Sequence, residues 1–352
     1  MKGNLKELEN GLIVSVDWLS FTITSLSDVD DVIAFLGYSR MDFDNMAHGG
    51  KGYKSMIRLN GYPVSIMFDG NDDMGIHVDI SGSAISEVVR SFSGTLEVNT
   101  PFGPGYEIDF NSTFLRELLS SIRKHGHITR LDLAIDDIGS RYFTTDDLVS
   151  LYFETRIVSK FRNLKNVVES ELSGNKTGHT LYFGSRRSDM FLRVYDKQLE
   201  QNKKNSNSDI PSVIFPWVRW EMECKNERAN SIADLILSGL GLGEITMGVL
   251  SNYMRIINLD NANRSRCTMA PVWCAFLDGI SALKLYVPQM EKDIDDKKQW
   301  VKKQVMPTLV AIIMSDGGSL EFIENNMESG LVRMKKPLRE MVEKCLGGDY
   351  DN

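Results

Sequence analysis

The sequence predicts an α+β fold, a mainly antiparallel sheet with flanking helices followed by a helical C-terminal domain. Segments rich in β-branched and aromatic residues recur up to residue 225, as expected of strands. Asn60-Gly61 marks a tight hairpin, and strands do not alternate regularly with helices. Further along only helical periodicity remains, so we expect a first domain over residues 1–228 and a second over 229–352.

The predicted elements follow from local patterns. Strands are predicted over residues 11–24, 54–59, 62–70, 75–82 and 128–139, then a hairpin over 180–197 with the turn Ser185–Ser188, and a last strand over 215–225. Helices are predicted over 30–36, 84–92, 112–126 and 144–156, then 231–240, 244–258, 267–279, 299–314, 319–327 and 337–346. Gly126 is interpreted as the stop of the third helix.

Composition excludes some classes of protein. The chain has 352 residues, 42% hydrophobic and 25% charged, which is ordinary for a globular protein. Its net charge of -8 argues against general nucleic-acid binding, although a local basic cleft remains compatible with it. The four cysteines show no zinc-ligand spacing. No apolar run is long enough to span a bilayer, so we expect a cytoplasmic protein without membrane insertion.

Three strand-like segments carry charged residues at every second position, which places the charges of each on one face. The first face holds Arg130, Asp132, Ala134 and Asp136, the second Arg219, Glu221, Glu223 and Lys225, and the third Arg193, Tyr195 and Lys197. A solvated sheet face explains any one of them. Three together suggest that acids and bases converge on one face of a sheet.

Such a face has a definite chemistry. Carboxylates from two strands can coordinate Mg²⁺ or Mn²⁺ through oxygen. Arginine and lysine beside them would hold a phosphate. A tyrosine among these groups is the obvious nucleophile, provided that neighbouring cations or a metal favour its phenolate.

Several of these segments together carry a resemblance to a known family. They are VDWLSFTI, GIHVDISG, TRLDLAIDD, TLYFGSRRSDMFLRVYDKQLEQ and VRWEMECK, in this order. The chain resembles the Rep_trans family of rolling-circle replication initiators, including the pT181-type plasmid Rep proteins, and within it the NicK-type relaxases of integrative and conjugative elements. The resemblance implies a sheet similar to that of HUH endonucleases, without their paired histidines.

The resemblance also implies an activity and its residues. It implies a site- and strand-specific DNA relaxase that cuts an origin of transfer and remains attached through a 5′-phosphotyrosyl bond. The family's R-x-Y-[DN]-K motif maps the nucleophile onto Tyr195, between Arg193 and Lys197. Its acidic motifs map metal binding onto Asp132, Asp136, Glu221 and Glu223, of which Asp132 and Glu221 are favoured.

Other candidates compete for these roles. His77 is a further candidate metal ligand, and the alternative is that it is a structural histidine. His125 and His127 look like a metal-binding pair, but their position at a helix end argues against it. Tyr182 is the rival candidate for the nucleophile, and the alternative is that its ring packs on the sheet.

Basic residues outside the three faces are predicted to contact DNA phosphates. They are Arg186, Arg187, Lys203, Lys204, Lys302 and Lys303. The helical C-terminal domain is accordingly expected to serve DNA recognition or assembly.

Two alternative functions stay open on residue chemistry alone. One is a sequence-specific DNA-binding protein without cleavage, and the other is a metal-dependent nuclease that activates water. Because the chain has no Walker motif, a host helicase is an expected partner. A conjugation coupling protein is a further candidate partner, and both a monomer and a dimer are compatible with the sequence.

Overall fold

The computed structural model describes residues 11–82, 84–93, 110–205, 212–281, 298, 301–334, 339 and 342. The chain divides into two compact units, Met1–Gln289 and Met290–Asn352. None of the described helices is both long and apolar enough to cross a membrane.

The first unit contains a large antiparallel sheet, as the sequence predicts. Its strands are β1 (Leu12–Ile23), β2 (Phe43–Asn45), β3 (Ser55–Leu59), β4 (Val64–Phe68), β5 (Ile76–Ser81), β6 (Gly126–Ile138), β8 (Leu164–Ser170), β9 (Lys176–Phe183), β10 (Met190–Asp196) and β11 (Trp217–Lys225). Their order is β2-β3-β4-β5-β1-β6-β11-β10-β9-β8, and every neighbouring pair is antiparallel. The long central strands β1, β6 and β11 therefore bring distant parts of the chain side by side.

Eight helices of the first unit fall among the described residues. They are α1 (Val29–Phe35), α2 (Ala84–Ser93), α3 (Phe110–His125), α4 (Thr145–Phe153), α5 (Lys197–Asn205), α6 (Asn226–Leu237), α7 (Leu242–Tyr253) and α8 (Pro271–Ser281). Thr144 and Asp147 form a capping box at the start of α4.

The alternation of each central strand separates an apolar face from a polar one. On β11, Trp220, Met222 and Cys224 enter the hydrophobic core, whereas Glu221 and Arg219 lie on the other face. The core side is covered by helices, and the Trp220 ring lies 5.2 Å from that of Phe276 in α8. Removing such side chains from water is what holds the sheet under its helices. The polar face is thereby left available for chemistry.

Gly126 differs from its prediction. It is the first residue of β6 rather than a helix stop, and α3 runs into the strand without a turn. A Cβ atom there would lie 1.8 Å from the carbonyl oxygen of Thr22. The glycine is thus required by the close approach of β1 and not by a helix cap.

Four strands were not predicted: β2 and β8 at the two edges of the large sheet, and two that form a separate pair. Residues Ile157–Ser159 (β7) pair with Met254–Ile256 (β12), which follows α7 where the sequence predicts continued helix. Helices α6, α7 and α8 contribute to the same hydrophobic core as the sheet. The division after residue 289 lies later in the chain than the change of sequence pattern that predicts a boundary at 228/229.

The second unit is described over part of its length. It contains a π-helical turn (Val301–Val305) and the helices α9 (Met306–Ser315) and α10 (Glu321–Val332). Residues 301–334 include no fully buried side chain among those described. The predicted helix over residues 337–346 lies outside the described residues except at Arg339 and Val342.

Candidate functional site

The three predicted charged faces belong to neighbouring strands and form one polar surface. Strand β11 lies between β6 and β10, with Glu221 opposite Arg193 on one side and Ala134 on the other. Arg219 is likewise opposite both Tyr195 and Asp136. Directly opposite side chains on one face are close enough to interact. The structure therefore brings the predicted residues together.

Tyr195 lies on this surface near the end of β10 and is only 6% exposed. Its hydroxyl donates to Oε2 of Glu221 at 3.4 Å and accepts from Nζ of Lys197 at 3.3 Å. The guanidinium carbon of Arg193 lies 4.8 Å from the centre of its ring. The tyrosine is thus surrounded by one carboxylate and two cations.

Lys197 reaches the tyrosine from a helix rather than from a strand. The strand ends at Asp196 and Lys197 is the first residue of α5, so the prediction that Lys197 shares a strand face with Arg193 and Tyr195 is wrong in detail. The side chain still reaches Tyr195, and its ammonium group pairs with Glu200 one turn further along α5. Sequence spacing did not assign Glu200 a role, although its i+3 position relative to Lys197 was a usable signal.

The environment keeps Tyr195 protonated in the free protein. Burial raises the pKa of Tyr195 far above its ordinary value, and the charge of Glu221 raises it further, against the lowering effects of Arg219 and Arg193. Burial and the charge of Arg219 lower the pKa of Lys197. A reaction at this tyrosine therefore needs a proton acceptor next to it, and Glu221 is the carboxylate in contact with its hydroxyl.

Arg219 was on a predicted face but was given no role. It is held by Asp136 through two hydrogen bonds of 2.7 Å and by Asp17 through a third of 2.7 Å. Asp136 also accepts a hydrogen bond from the indole of Trp217 at 2.6 Å. These contacts fix a permanent cation directly opposite Tyr195 on the neighbouring strand.

The second cluster of acids surrounds Arg130. This arginine donates to the fully buried Asp132 and lies 3.2 Å from Oε2 of Glu223, which also pairs with Lys225 at 2.6 Å. Burial raises the pKa of Asp132 to about 7, although Arg130 lowers it, while the charges of Glu221 and Glu223 raise it. Asp132 is therefore poised to gain or lose a proton near neutral pH.

The acids of this surface offer oxygen ligands to a divalent metal, but they are already paired with arginines. Asp132, Glu221 and Glu223 lie on adjacent strands and offer carboxylate oxygens as ligands. Their negative charges repel one another, which favours binding of a hard cation. Yet over the described ranges no three potential ligands converge into a coordination site. Each acid instead faces an arginine, and Asp136 has all its observed contacts with Arg219 and Trp217. A cation here would compete with the guanidinium groups.

The other predicted metal ligands are accounted for in other ways. His77 lies on the same sheet face, and its Nδ1 pairs with Thr22 at 3.0 Å. Its Nε2 lies 3.0 Å from the ammonium of Lys51 and 3.2 Å from Asp79.

The His125 and His127 pair is divided between two elements. His125 ends α3 and its Nδ1 pairs with Ser25 at 2.8 Å, whereas His127 is exposed on β6. Gly126 between them is a strand residue and not the helix stop that the sequence argument used.

A cleft of about 180 Å³ opens beside the tyrosine. Its lining includes Tyr195, Arg193 and Glu200, with Lys203 and Glu169 at 2.7 Å from each other. The cleft therefore combines the candidate nucleophile with cations that attract phosphate.

The predicted DNA-contacting residues differ in their surroundings. Arg186 and Arg187 are exposed on the β9–β10 turn, and Lys203 and Lys204 form surface ion pairs with Glu169 and Glu200. Lys302 is exposed in the second unit, and the side chain of Lys303 lies outside the described residues. The four residues of the first unit belong to the β9–β10 turn and to α5, the elements that flank Tyr195.

A tyrosine held among arginines and a lysine on an antiparallel sheet defines a candidate site for phosphoryl transfer. Comparison with known proteins agrees with that class. The family model described as "Replication initiation factor" matches residues 126–328, and the chain belongs to this family.

Two relatives extend the likeness beyond the matched segment. The Bacillus subtilis (strain 168) protein named "Putative DNA relaxase NicK" is 27% identical over 321 residues, covering 90% of this chain and 85% of that protein. The structure of a rolling circle replication initiator protein from Geobacillus stearothermophilus is similar with a TM-score of 0.64 and 28% identity. It covers 79% of this chain and 100% of the solved one.

Proposed function

We propose that this protein is a DNA relaxase that cuts one strand through Tyr195 and so initiates transfer and rolling-circle replication of a mobile element. The observation that carries the proposal is the position of the Tyr195 hydroxyl, within 3.4 Å of both a carboxylate and an ammonium group beside an open cleft. Family membership supports a nicking activity, since the relatives are named as a relaxase and as a replication initiator.

The proposed reaction is a transesterification. The phenolic oxygen of Tyr195 attacks the scissile phosphorus, and the bond from phosphorus to the 3′ oxygen breaks. The phenolic proton passes to Glu221, and the departing 3′ oxygen takes up a proton from water to become a free hydroxyl. The 5′ phosphate remains on the tyrosine as an ester, so the strand can later be rejoined without ATP.

The cations have separate parts in this proposal. Arg193, with its guanidinium over the ring of Tyr195, binds the phosphate oxygens, and Lys197 stabilises the phenolate that forms. Arg219 adds positive charge from the next strand, and Asp136 positions it rather than binding metal.

Mg²⁺ or Mn²⁺ is the cofactor we propose, with Asp132, Glu221 and Glu223 as the residues that would hold it. When bound, such an ion supplies positive charge to the phosphate and to the departing oxygen.

The partners we propose follow from the reaction. A strand cut at an origin of transfer must be unwound by a helicase of the host, and a conjugation coupling protein would receive the covalent complex. Both are proposals that stand apart from the chemistry at Tyr195.

The test is a search for the covalent adduct. Overlapping labelled single strands from the DNA flanking the gene are mixed with the protein and Mg²⁺ or Mn²⁺, then run on a denaturing SDS gel. We expect label at the position of the protein for the wild type and none for Tyr195→Phe. Tyr182→Phe is the matched control, because Tyr182 lies opposite Arg193 on the same face and should retain the adduct.

The other outcomes separate the alternatives. Cleavage without an adduct would indicate a nuclease that activates water. Binding without cleavage by the wild type would indicate a DNA-binding protein. An adduct that persists in Tyr195→Phe and vanishes in Tyr182→Phe would move the nucleophile to the neighbouring strand.

A further inference from the structure

Two aromatic side chains flank the acid and arginine cluster on the polar face of the sheet. Trp18 lies on β1, directly opposite Asp132 of β6. Tyr182 lies on β9, directly opposite Arg193 of β10, and so on the far side of the cluster from Trp18. Both are partly exposed. The remainder of this face is mostly polar, so the two rings are not part of the hydrophobic core that the helices cover.

Each ring is held in place by contacts with neighbouring side chains. The indole of Trp18 donates to the hydroxyl of Ser20 at 2.6 Å, and the guanidinium of Arg130 lies 4.2 Å from the indole ring centre. Tyr182 stacks on the buried ring of Phe191 with centres 5.9 Å apart and planes at 19°. Arg186 lies 5.8 Å from the centre of Tyr182. Flat rings fixed in this way can stack on a base without a large loss of side-chain freedom.

Position relative to Tyr195 decides which ligand would use the rings. Tyr182 is the diagonal neighbour of Tyr195, since Thr180 is opposite Tyr195 and Arg193 is opposite Tyr182. Diagonal neighbours lie about 7–8 Å apart. Trp18 is three strands away from Tyr195, at roughly 4.8 Å for each strand. A strand whose scissile phosphate lies at Tyr195 therefore places flanking nucleotides over these rings.

We infer that Trp18 and Tyr182 are stacking platforms for unpaired bases on either side of the scissile phosphate. The inference rests on the proposed function for its ligand, single-stranded DNA. Aromatic rings interleaved with Arg130, Arg193 and Arg186 are the combination that binds single strands, because the cations follow the phosphates while the rings accept any base. The polar sheet face is accordingly a track for the cleaved strand.

The experiment separates base stacking from phosphate binding. The full chain with Tyr195→Phe, which cannot form the adduct, is titrated with a fluorescent oligothymidylate. A second titration uses an abasic strand of the same length and charge. We expect Tyr182→Leu and Trp18→Leu each to weaken oligothymidylate binding at least about fivefold, while abasic binding changes less than about twofold.

Matched variants show whether the ring itself matters. Tyr182→Phe should retain full binding because it keeps the ring. Tyr152→Leu, an exposed aromatic of α4, should change neither titration. Arg186→Gln should weaken the binding of both oligonucleotides and reduce the dependence of binding on salt. The Tyr182 variants should leave that salt dependence unchanged.

Two results would overturn the inference. Equal losses on the base-bearing and abasic strands would show that the rings act through the fold or the phosphates. No loss in either leucine variant, with melting temperatures unchanged, would show that the rings only pack. Should Trp18→Leu fail to fold, Trp18→Phe is titrated in its place. Because it keeps a ring, its oligothymidylate binding should weaken less than that of Tyr182→Leu. If the wild type forms no adduct but the two leucine variants still weaken oligothymidylate binding selectively, the nicking proposal is refuted and the stacking inference stands.

Discussion

Two polar clusters lie on the same face of the sheet, one around Tyr195 and one around His77, and they differ in how fully their polar atoms are bonded. Both nitrogens of His77 have partners at 3.0–3.2 Å, and Asp79 accepts from Ser20 at 2.5 Å and from Lys51 at 2.7 Å. The Tyr195 hydroxyl has contacts of 3.3 and 3.4 Å, long for a hydroxyl. A substrate would complete the cluster around Tyr195 and disrupt the one around His77.

The charges of the two clusters support the same distinction. Burial raises the pKa of Asp79, but hydrogen bonds from His77, Lys51 and Ser20 outweigh it and hold the pKa well below its ordinary value. Around Tyr195, by contrast, the pKa of the phenol is raised and that of Lys197 is lowered, so each group disfavours its charged form. Perturbation of that kind is typical of groups that react, whereas stabilised charges are typical of groups that hold a fold.

The largest effect is expected at Glu221. Glu221→Gln keeps the shape of the side chain but removes the acceptor for the phenolic proton, so adduct formation should slow by roughly 10²–10⁴-fold. The rate is measured by quenching labelled reactions into SDS. Glu169→Gln, at the edge of the same cleft, is the control and should react normally. An unchanged rate in Glu221→Gln would show that the proton leaves by another route.

Lys197 is expected to have the next effect. Lys197→Met keeps the length of the stem and removes the ammonium next to the phenol, so adduct formation should slow by about 10²-fold. Because burial lowers the pKa of Lys197, its charge is costly to bury, and the variant should melt no lower than the wild type.

Lys204→Met provides the matched control for Lys197. Lys204 lies on the same helix and pairs with the same Glu200, but it is exposed. Because Lys204 is predicted to contact DNA phosphates, its loss should weaken DNA binding but leave the rate of adduct formation at saturating DNA unchanged. Equal effects of the two variants would indicate that α5 acts through its stability or its general charge.

How far the sequence predicts this site depends on the range of each interaction. Period-two alternation was enough to place Glu221 and Asp132 on one face, because a strand fixes the side of every residue. The pairing of Arg219 with both Asp136 and Asp17 could not be predicted, since it depends on strand order and on a bulge between Val16 and Trp18. The sequence predicts helix where β12 lies, because a short apolar run fits both periods.

Asp132 offers a test of charge rather than of shape. Its pKa of about 7 exceeds its ordinary value, so the folded protein binds a proton more readily than the unfolded chain. Stability contributed by this group is therefore lost as the pH rises from about 4 to 7. Asp132→Asn removes this penalty and should raise the melting temperature by at least about 2 °C at pH 8, with little gain at pH 4.

The same variant should form the adduct more slowly than the wild type, because Asp132 is one of the proposed metal ligands, and this would sharpen the contrast between stability and function. Calorimetry across the pH range gives the first quantity and the SDS gel gives the second. A lower melting temperature of Asp132→Asn at pH 8 would show instead that the ion pair with Arg130 outweighs the cost of burial.

The smallest effect on nicking is expected at His77. His77→Ala should form the adduct within about threefold of the wild type, because the contacts of His77 lie with Thr22, Lys51 and Asp79 rather than with Tyr195. It should nevertheless lower the free energy of unfolding by about 1–3 kcal/mol at pH 7, since buried partners lose a hydrogen bond. The loss should begin to shrink below about pH 4, because the stability that comes from the lowered pKa of Asp79 declines in the wild type as the pH falls from there towards the folded pKa. Denaturant titrations at both pH values measure it, with Thr22→Val as a second way to break the same cluster. A variant that folds as well as the wild type but no longer nicks would make His77 part of the reactive site, and the two clusters would then form one catalytic surface.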